Sequence, residues 1–102
     1  MKTHELKTWP MYFQMVRKHQ KLFEVRKNDR GFKTGDTLNL REWDGEYTGW
    51  SISAMVSCMF GSDEIEPLAT ESLRSGYCVL GLDSGSLEVH GPTETKTKKA
   101  GE

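Results

Sequence analysis

The apolar positions of the chain change period several times, and each change predicts an element. Residues 4–6 read as a short extended start. Trp9-Pro10 then reads as a helix entry, since proline is tolerated at the first helical position, where its missing N–H would be unpartnered anyway. Tyr12, Phe13 and Val16 recur at helical spacing while Gln14, Arg17 and Lys18 fall on wetter sides, which predicts one short amphipathic helix. Residues 21–27 (KLFEVRK) switch to a period of two, with Phe23 and Val25 on one face of a strand and Leu22, Glu24 and Arg26 on the other. Two turns follow, at residues 28–31 and 33–36. Residues 37–43 alternate again, with Leu38 and Leu40 opposite Asn39, Arg41 and Trp43. The turn dipeptide Asp44-Gly45 then makes residues 37–60 a hairpin. The clearest alternation runs over residues 50–60. It places Trp50, Ile52, Ala54, Val56, Cys58 and Phe60 on one face, with Cys58 as a small core residue, and Met55 and Met59 on the other. Residues 61–76 are acidic and broken by Pro67, with a short helical turn expected at residues 69–73. Residues 77–82 (YCVLGL) read as a closing buried strand. From residue 84 onward the chain is mostly Ser, Gly, Thr, Lys and Glu without Phe, Trp or Tyr, which predicts a flexible polar tail over 84–102 behind a domain of residues 1–83. Five short strands, one N-terminal helix and hairpin connections predict an α+β domain on a small, mostly antiparallel, barrel-like sheet.

Composition narrows the classes. At 102 residues, with 35% hydrophobic and 28% charged positions, the chain has material for one modest core. The longest nearly apolar stretch, residues 54–60, is strand-length and interrupted by Ser57, so no transmembrane helix is expected. The opening MKTHELKTWP lacks the apolar run of a secretory signal, and a cytoplasmic location follows as the expectation. Cys58 and Cys78 stand far apart without a CxxC, which predicts two reduced, buried thiols. His4, His19 and His90 share no pattern with them, so neither a metal site nor a cofactor is expected.

Charge changes the picture more. The formal net charge of −1 conceals nine Lys/Arg against three Asp/Glu in residues 1–33, and two against nine in residues 34–83. Seven of those nine cations fall between Arg17 and Lys33. Within this run Glu24 and Arg26 project from one strand face, roughly 6–7 Å apart along the strand, with Lys21 at the strand mouth and Lys27, Asn28, Asp29 and Arg30 following. A carboxylate flanked by cations suits a polar ligand: it accepts from an exocyclic amine or ring N–H, while a guanidinium grips phosphate bidentately. The same residues also fit a solvated surface ion pair worth at most about 1 kcal/mol. Trp9 and Trp43 are candidate stacking platforms and Arg41 a further candidate contact, whereas Trp50 and Phe23 are expected in the core.

Lys21, Glu24 and Arg26 spell KxxExR, which resembles the core of the GxKxxExR motif of the ASCH superfamily, a branch of the PUA-like folds. The longer run FEVRKNDRGFKTGDTLNLREWD, followed by EYTGW and GYCVLGL and preceded by the HxLK-type start at residues 4–7, is similar to a small bacterial and phage family of that superfamily over about residues 3–83. One departure is that the motif's first glycine is His19 here, a bulkier residue at the mouth of any cleft. The resemblance implies a pseudo-barrel with a helix near one opening, a cleft lined by the motif residues, and an RNA or nucleotide-like ligand in a bacterial cell or phage-infected host. Phosphate-facing Lys and Arg would supply affinity and aromatics would stack bases. A second reading is a small amidohydrolase on a modified nucleoside. The related enzymes pair a lysine, matched by Lys21, with a threonine whose position is Glu24 here, so the hydroxyl nucleophile is missing and a carboxylate that could serve as general base toward water stands in its place. Glu64, Glu66 and Glu71 are candidates for the distant acid. A third reading is a protein partner engaged through the acidic middle and a Met55/Met59 stripe. Lys96, Lys98 and Lys99 of the tail would add weak electrostatic contact to nucleic acid.

Overall fold

The computed structural model describes residues 1–61 and 76–92. The expected helical turn at residues 69–73, Glu64, Glu66, Glu71 and the lysines of the tail lie outside that range. The elements run β1 (Thr3–Thr8), α1 (Pro10–Arg17), β2 (Phe23–Lys27), β3 (Thr37–Trp43), β4 (Tyr47–Gly61), β5 (Tyr77–Leu82), a 3₁₀ turn (Ser84–Ser86) and β6 (Glu88–His90). The strands order as β1-β3-β4-β5-β2, with β6 paired to β4. Among the described residues only the β1–β3 pair is parallel; the other ladders are antiparallel. The domain is therefore α+β and mostly antiparallel, as the alternation of apolar residues implies.

Register explains the core. Leu6, Leu40 and Ile52 stand in one row across β1, β3 and β4, and Leu38 and Ala54 in the next. Phe13 and Val16 of α1 close over them and are fully buried. Burying this many large aliphatic side chains, each worth about 1.5–3 kcal/mol, fixes which face of the sheet points inward. The helix starts with Pro10 in its first turn behind Trp9, whose extended backbone needs no side-chain cap. It ends in a Schellman turn: the Gln20 N–H donates to the Met15 carbonyl at 2.8 Å and the His19 N–H to the Val16 carbonyl at 2.9 Å. His19 takes φ of +61°, and it is the one non-glycine residue in the left-handed region among the described residues.

Three expectations are corrected. First, β4 does not keep one face: the register slips between Val56 and Cys58, so Ile52, Ala54 and Val56 are buried while Cys58 and Phe60 are exposed and Met59 packs against the core. A bulge inserts a residue and flips the alternation beyond it. Cys58 is thus not a core thiol, although Cys78 is buried, and Met55 and Met59 form no common stripe. Second, β2 is turned over. Phe23 and Val25, expected inside, are 45% and 46% exposed, whereas Glu24 is 4% exposed. The usual cost of burying a carboxylate is met by two cations that hold it, described below. Third, residues 84–90 are not a featureless tail, because the 3₁₀ turn returns the chain so that Ser51–His90, Ile52–Val89 and Ser53–Glu88 pair. The hydrogen-bonded order of the sheet is open, with β1 and β2 at its two ends. Side chains span the gap instead. Arg26 Nη2 donates to the Lys7 carbonyl at 2.9 Å and Arg30 Nη1 to the Glu5 carbonyl at 2.7 Å. Glu5 and Lys7 are two residues apart, so both carbonyls open on the same edge of β1.

Candidate functional site

The turn at Pro10 folds the start of α1 back over the end of β1, and the Schellman turn delivers the chain to β2 beside them. Between these three segments lies a cleft of about 420 Å³ lined by Lys7, Thr8, Trp9, Tyr12, Lys21, Glu24, Val25 and Arg26. Glu24 forms its anchored floor. Lys21 Nζ donates to Glu24 Oε2 at 3.2 Å and to the Phe23 carbonyl at 2.7 Å, and Arg26 Nε donates to Glu24 Oε1 at 3.2 Å. The burial of Glu24 sets this group apart from the solvated ion pair that the sequence also permits. Arg26 Nη2 additionally reaches Thr8 Oγ1 at 3.4 Å, and the Thr8 hydroxyl donates to the Leu6 carbonyl at 3.4 Å.

The trio is crowded but not saturated. A lysine ammonium has three donors and a guanidinium five. Lys21 uses two and Arg26 directs Nη1 at no protein group among the described residues. One wall is aromatic: Trp9 is 56% exposed and Tyr12 half-exposed. Lys21 Nζ lies 5.6 Å from the centre of the Tyr12 ring and 4.9 Å from that of Phe23, a cation–π arrangement that steadies the ammonium. Trp9 meets Trp43 edge to face at 5.2 Å, and Lys7 Nζ sits 4.6 Å over the Trp43 ring.

A second, smaller cleft of about 160 Å³ adjoins the same guanidinium, lined by Leu6, Arg26, Lys27, Asp29, Arg30 and Phe32. Of the residues singled out from the sequence, Lys21, Glu24, Arg26 and Trp9 come together in the larger cleft, and Lys27, Asp29 and Arg30 join Arg26 at the smaller one. Asn28 lines neither; its N–H donates to the Gly76 carbonyl at 2.8 Å. Arg41 is elsewhere too, 3.5 Å from Glu5 and stacked 3.8 Å over Tyr47. Lys7, Thr8 and Tyr12 escape a sequence reading because they are neighbours of the motif only in space. The one signal for them was Tyr12, an aromatic next to the buried stripe of a short helix.

Away from the clefts, Asp36 accepts from His4 Nε2 at 2.8 Å, from the Lys33 N–H at 3.1 Å and from the Lys2 N–H at 3.2 Å. These bonds favour the ionised carboxylate, the His4 one foremost, and hold its pKa down at about 2 against the usual 3.8. This pair ties the start of β1 to the turn before β3. Among the described residues no group of three His, Cys, Asp or Glu side chains is placed to hold a metal ion, and no helix is long and apolar enough to cross a membrane.

Comparison with known proteins places the chain. An uncharacterised 12.9 kDa protein encoded in the GpA 3′ region of Escherichia phage P2 is 42% identical over 57 residues, which is 55% of this chain and 52% of the phage protein, so the match spans about half the relative's length. A family model described as a domain of unknown function, DUF3850, matches residues 3–82, from the first residue of β1 to the last of β5. The chain belongs to the DUF3850 family.

Proposed function

We propose that this protein binds a nucleotide-like unit, free or within RNA, in the larger cleft, as an ASCH-like module with a PUA-like pseudo-barrel, acting in the cytoplasm of a bacterial cell or phage-infected host. The observation that carries the reading is the pairing, within one 420 Å³ space, of exposed Trp9 and Tyr12 with three cations, two of them fixed by a buried carboxylate. That volume lies in the range of about 300–1,000 Å³ typical of small-molecule sites. Aromatic faces stack bases of any identity, and the remaining donors of Lys7, Lys21 and Arg26 suit phosphate. The side-chain bridge from Arg26 and Arg30 to β1 supports the pseudo-barrel part of the reading, since it joins the two ends of the sheet.

Trp9→Ala tests it, because the ring is mostly outside the core. Titrating fluorescent single-stranded RNA and nucleoside monophosphates in low salt is expected to show micromolar or weaker binding, weakened about tenfold by the substitution, as one lost stacking contact of about 1–3 kcal/mol implies. With three cations engaged, affinity for RNA falls roughly 10–20-fold between 50 and 200 mM salt. Binding that ignores Trp9→Ala, or no binding at all, defeats the reading.

One observation favours a hydrolytic role for the same cleft: Lys21 Nζ and Glu24 Oε2 are 3.2 Å apart on its floor, an acid–base pair within reach of a bound ligand. Turnover of acylated nucleosides that disappears in Glu24→Gln establishes it; inert substrates across such a panel remove it.

A further inference from the structure

The smaller cleft carries chemistry that a single nucleotide in the larger one leaves unused. Arg26 belongs to both linings. Its Nε and Nη2 are held by Glu24, Lys7 and Thr8, which fixes the plane of the guanidinium and leaves Nη1 available at the junction. Beyond it, Arg30 is anchored through Nη1 on the Glu5 carbonyl, so the two guanidinium groups are set along the β1 edge at a two-residue interval, about 6.6 Å. That interval is close to the step between consecutive phosphates of an extended single strand. Lys27, between them on β2, is exposed and its side chain has no ion-pair or hydrogen-bond partner among the described residues. Among the described residues Asp29 is the one acid on this lining, largely solvated and 3.9 Å from Arg30 Nε. The floor is the buried pair Leu6 and Phe32. A space of about 160 Å³ falls below the roughly 300 Å³ of sites that take a whole small molecule, but it admits a phosphate with the apolar edge of its sugar.

We propose that the two clefts are consecutive subsites for one single-stranded polynucleotide, the nucleoside in the larger and the adjoining phosphodiester in the smaller, so that the ligand is an oligonucleotide rather than a mononucleotide. The proposal rests on the nucleotide reading of the larger cleft. Arg26 is the shared contact and Lys27 the specific cation of the second step. Stacking and charge do not distinguish ribose from deoxyribose, so the polynucleotide class is the claim.

The test compares adenosine monophosphate, the 5′-phosphorylated dinucleotide pApA and an eight-residue oligoadenylate, in ribo and deoxy forms, by calorimetry or anisotropy in low salt, with wild type, Lys27→Ala and Trp9→Ala. The dinucleotide and the octamer are expected to bind at least tenfold more tightly than the monophosphate. Lys27→Ala removes most of that gain while changing monophosphate affinity less than twofold, and the slope of log affinity against log salt is steeper for pApA by about 0.7 for the added phosphate contact. Equal affinity for the monophosphate and pApA, or a Lys27→Ala loss as large for the monophosphate as for pApA, overturns the second subsite. If Trp9→Ala still weakens the monophosphate in that event, the larger cleft stands alone. If none of the nucleotides binds, both readings fail.

Discussion

Glu24 shows what a single buried charge demands of its neighbours. Leaving a carboxylate unpaired away from water is expensive, and removing either partner of a buried pair exposes that cost. Here the demand is shared by Lys21 and Arg26, from opposite sides of the same carboxylate. The alternation of residues 21–27 is legible in the sequence, but its inward face is not, because pattern reading assigns the apolar set to the core and gives no weight to a carboxylate neutralised by cations two and three residues away. His19 is the reverse case: the glycine expected from the motif is explained by its φ of +61°, the region where a side chain costs roughly 1–2 kcal/mol. His19→Gly is therefore expected to raise stability by about 1 kcal/mol, visible as a higher urea midpoint with an unchanged slope; a lower midpoint would mean that the imidazole makes a stabilising contact. Asp36 governs the acid limb. Its pKa is depressed in the folded chain, so the stability it contributes is complete above the unfolded value near 3.8 and is lost as pH falls through about 2. Acid titration followed by circular dichroism should show this loss between those values, and Asp36→Asn should flatten it.

Among the elements, β4 carries the main departure from simple alternation. Its first half is a hairpin arm whose register against β3 shifts between Arg41 and Trp43, legible because Asp44-Gly45 marks the turn and Ile52, Ala54 and Val56 keep period two; Gly45 takes φ of +120° at that turn. The bulge beyond Val56 has no sequence signal, since Cys58 and Phe60 continue the apolar pattern as if they were inside. Its counterpart on β5 is Gly81, which faces both Cys58 and Phe23 across the two ladders. A Cβ there would stand 2.8 Å from Cys58 Sγ and 2.9 Å from Ser57 Oγ. Gly81→Ala, read from thermal unfolding, is expected to destabilise by about 1 kcal/mol, the low end of overpacking, because the clashing atoms are tips of the exposed Ser57 and Cys58 side chains; an unchanged midpoint would show that the bulge relaxes freely. The strand β6 illustrates the opposite limit of legibility. Three residues give no period, and EVH becomes a strand only because Ser51–Ser53 presents an edge to it. The cleft was half visible in the same sense, with its β2 wall written in one motif and its β1 and α1 walls contributed by residues with no local mark of function.

For the molecule as a whole, counting charge misleads twice: once by summing a basic first third with an acidic middle, and again by treating every cation as solvent-facing. Lys21, Arg26 and Arg30 each spend donors on the protein itself, and Asp36 and Glu42 are buried. At the two clefts, the positive character that remains comes from the unspent donors and from Lys7 and Lys27. The two guanidinium groups on β1 have one more effect, on how copies of the protein behave toward each other. A terminal strand with free carbonyls and amides is a template for a strand from another chain, and aggregation commonly begins there. Arg26 and Arg30 occupy successive outward carbonyls of β1, so this edge of the sheet is already engaged by its own chain. Replacing both by alanine should leave monomers prone to self-association, detectable as light scattering that grows with concentration under conditions where wild type stays dispersed. If the double variant stays monomeric, edge protection falls to the charged side chains of β1. On this view Arg26 and Arg30 shield one edge of the sheet as well as lining the clefts.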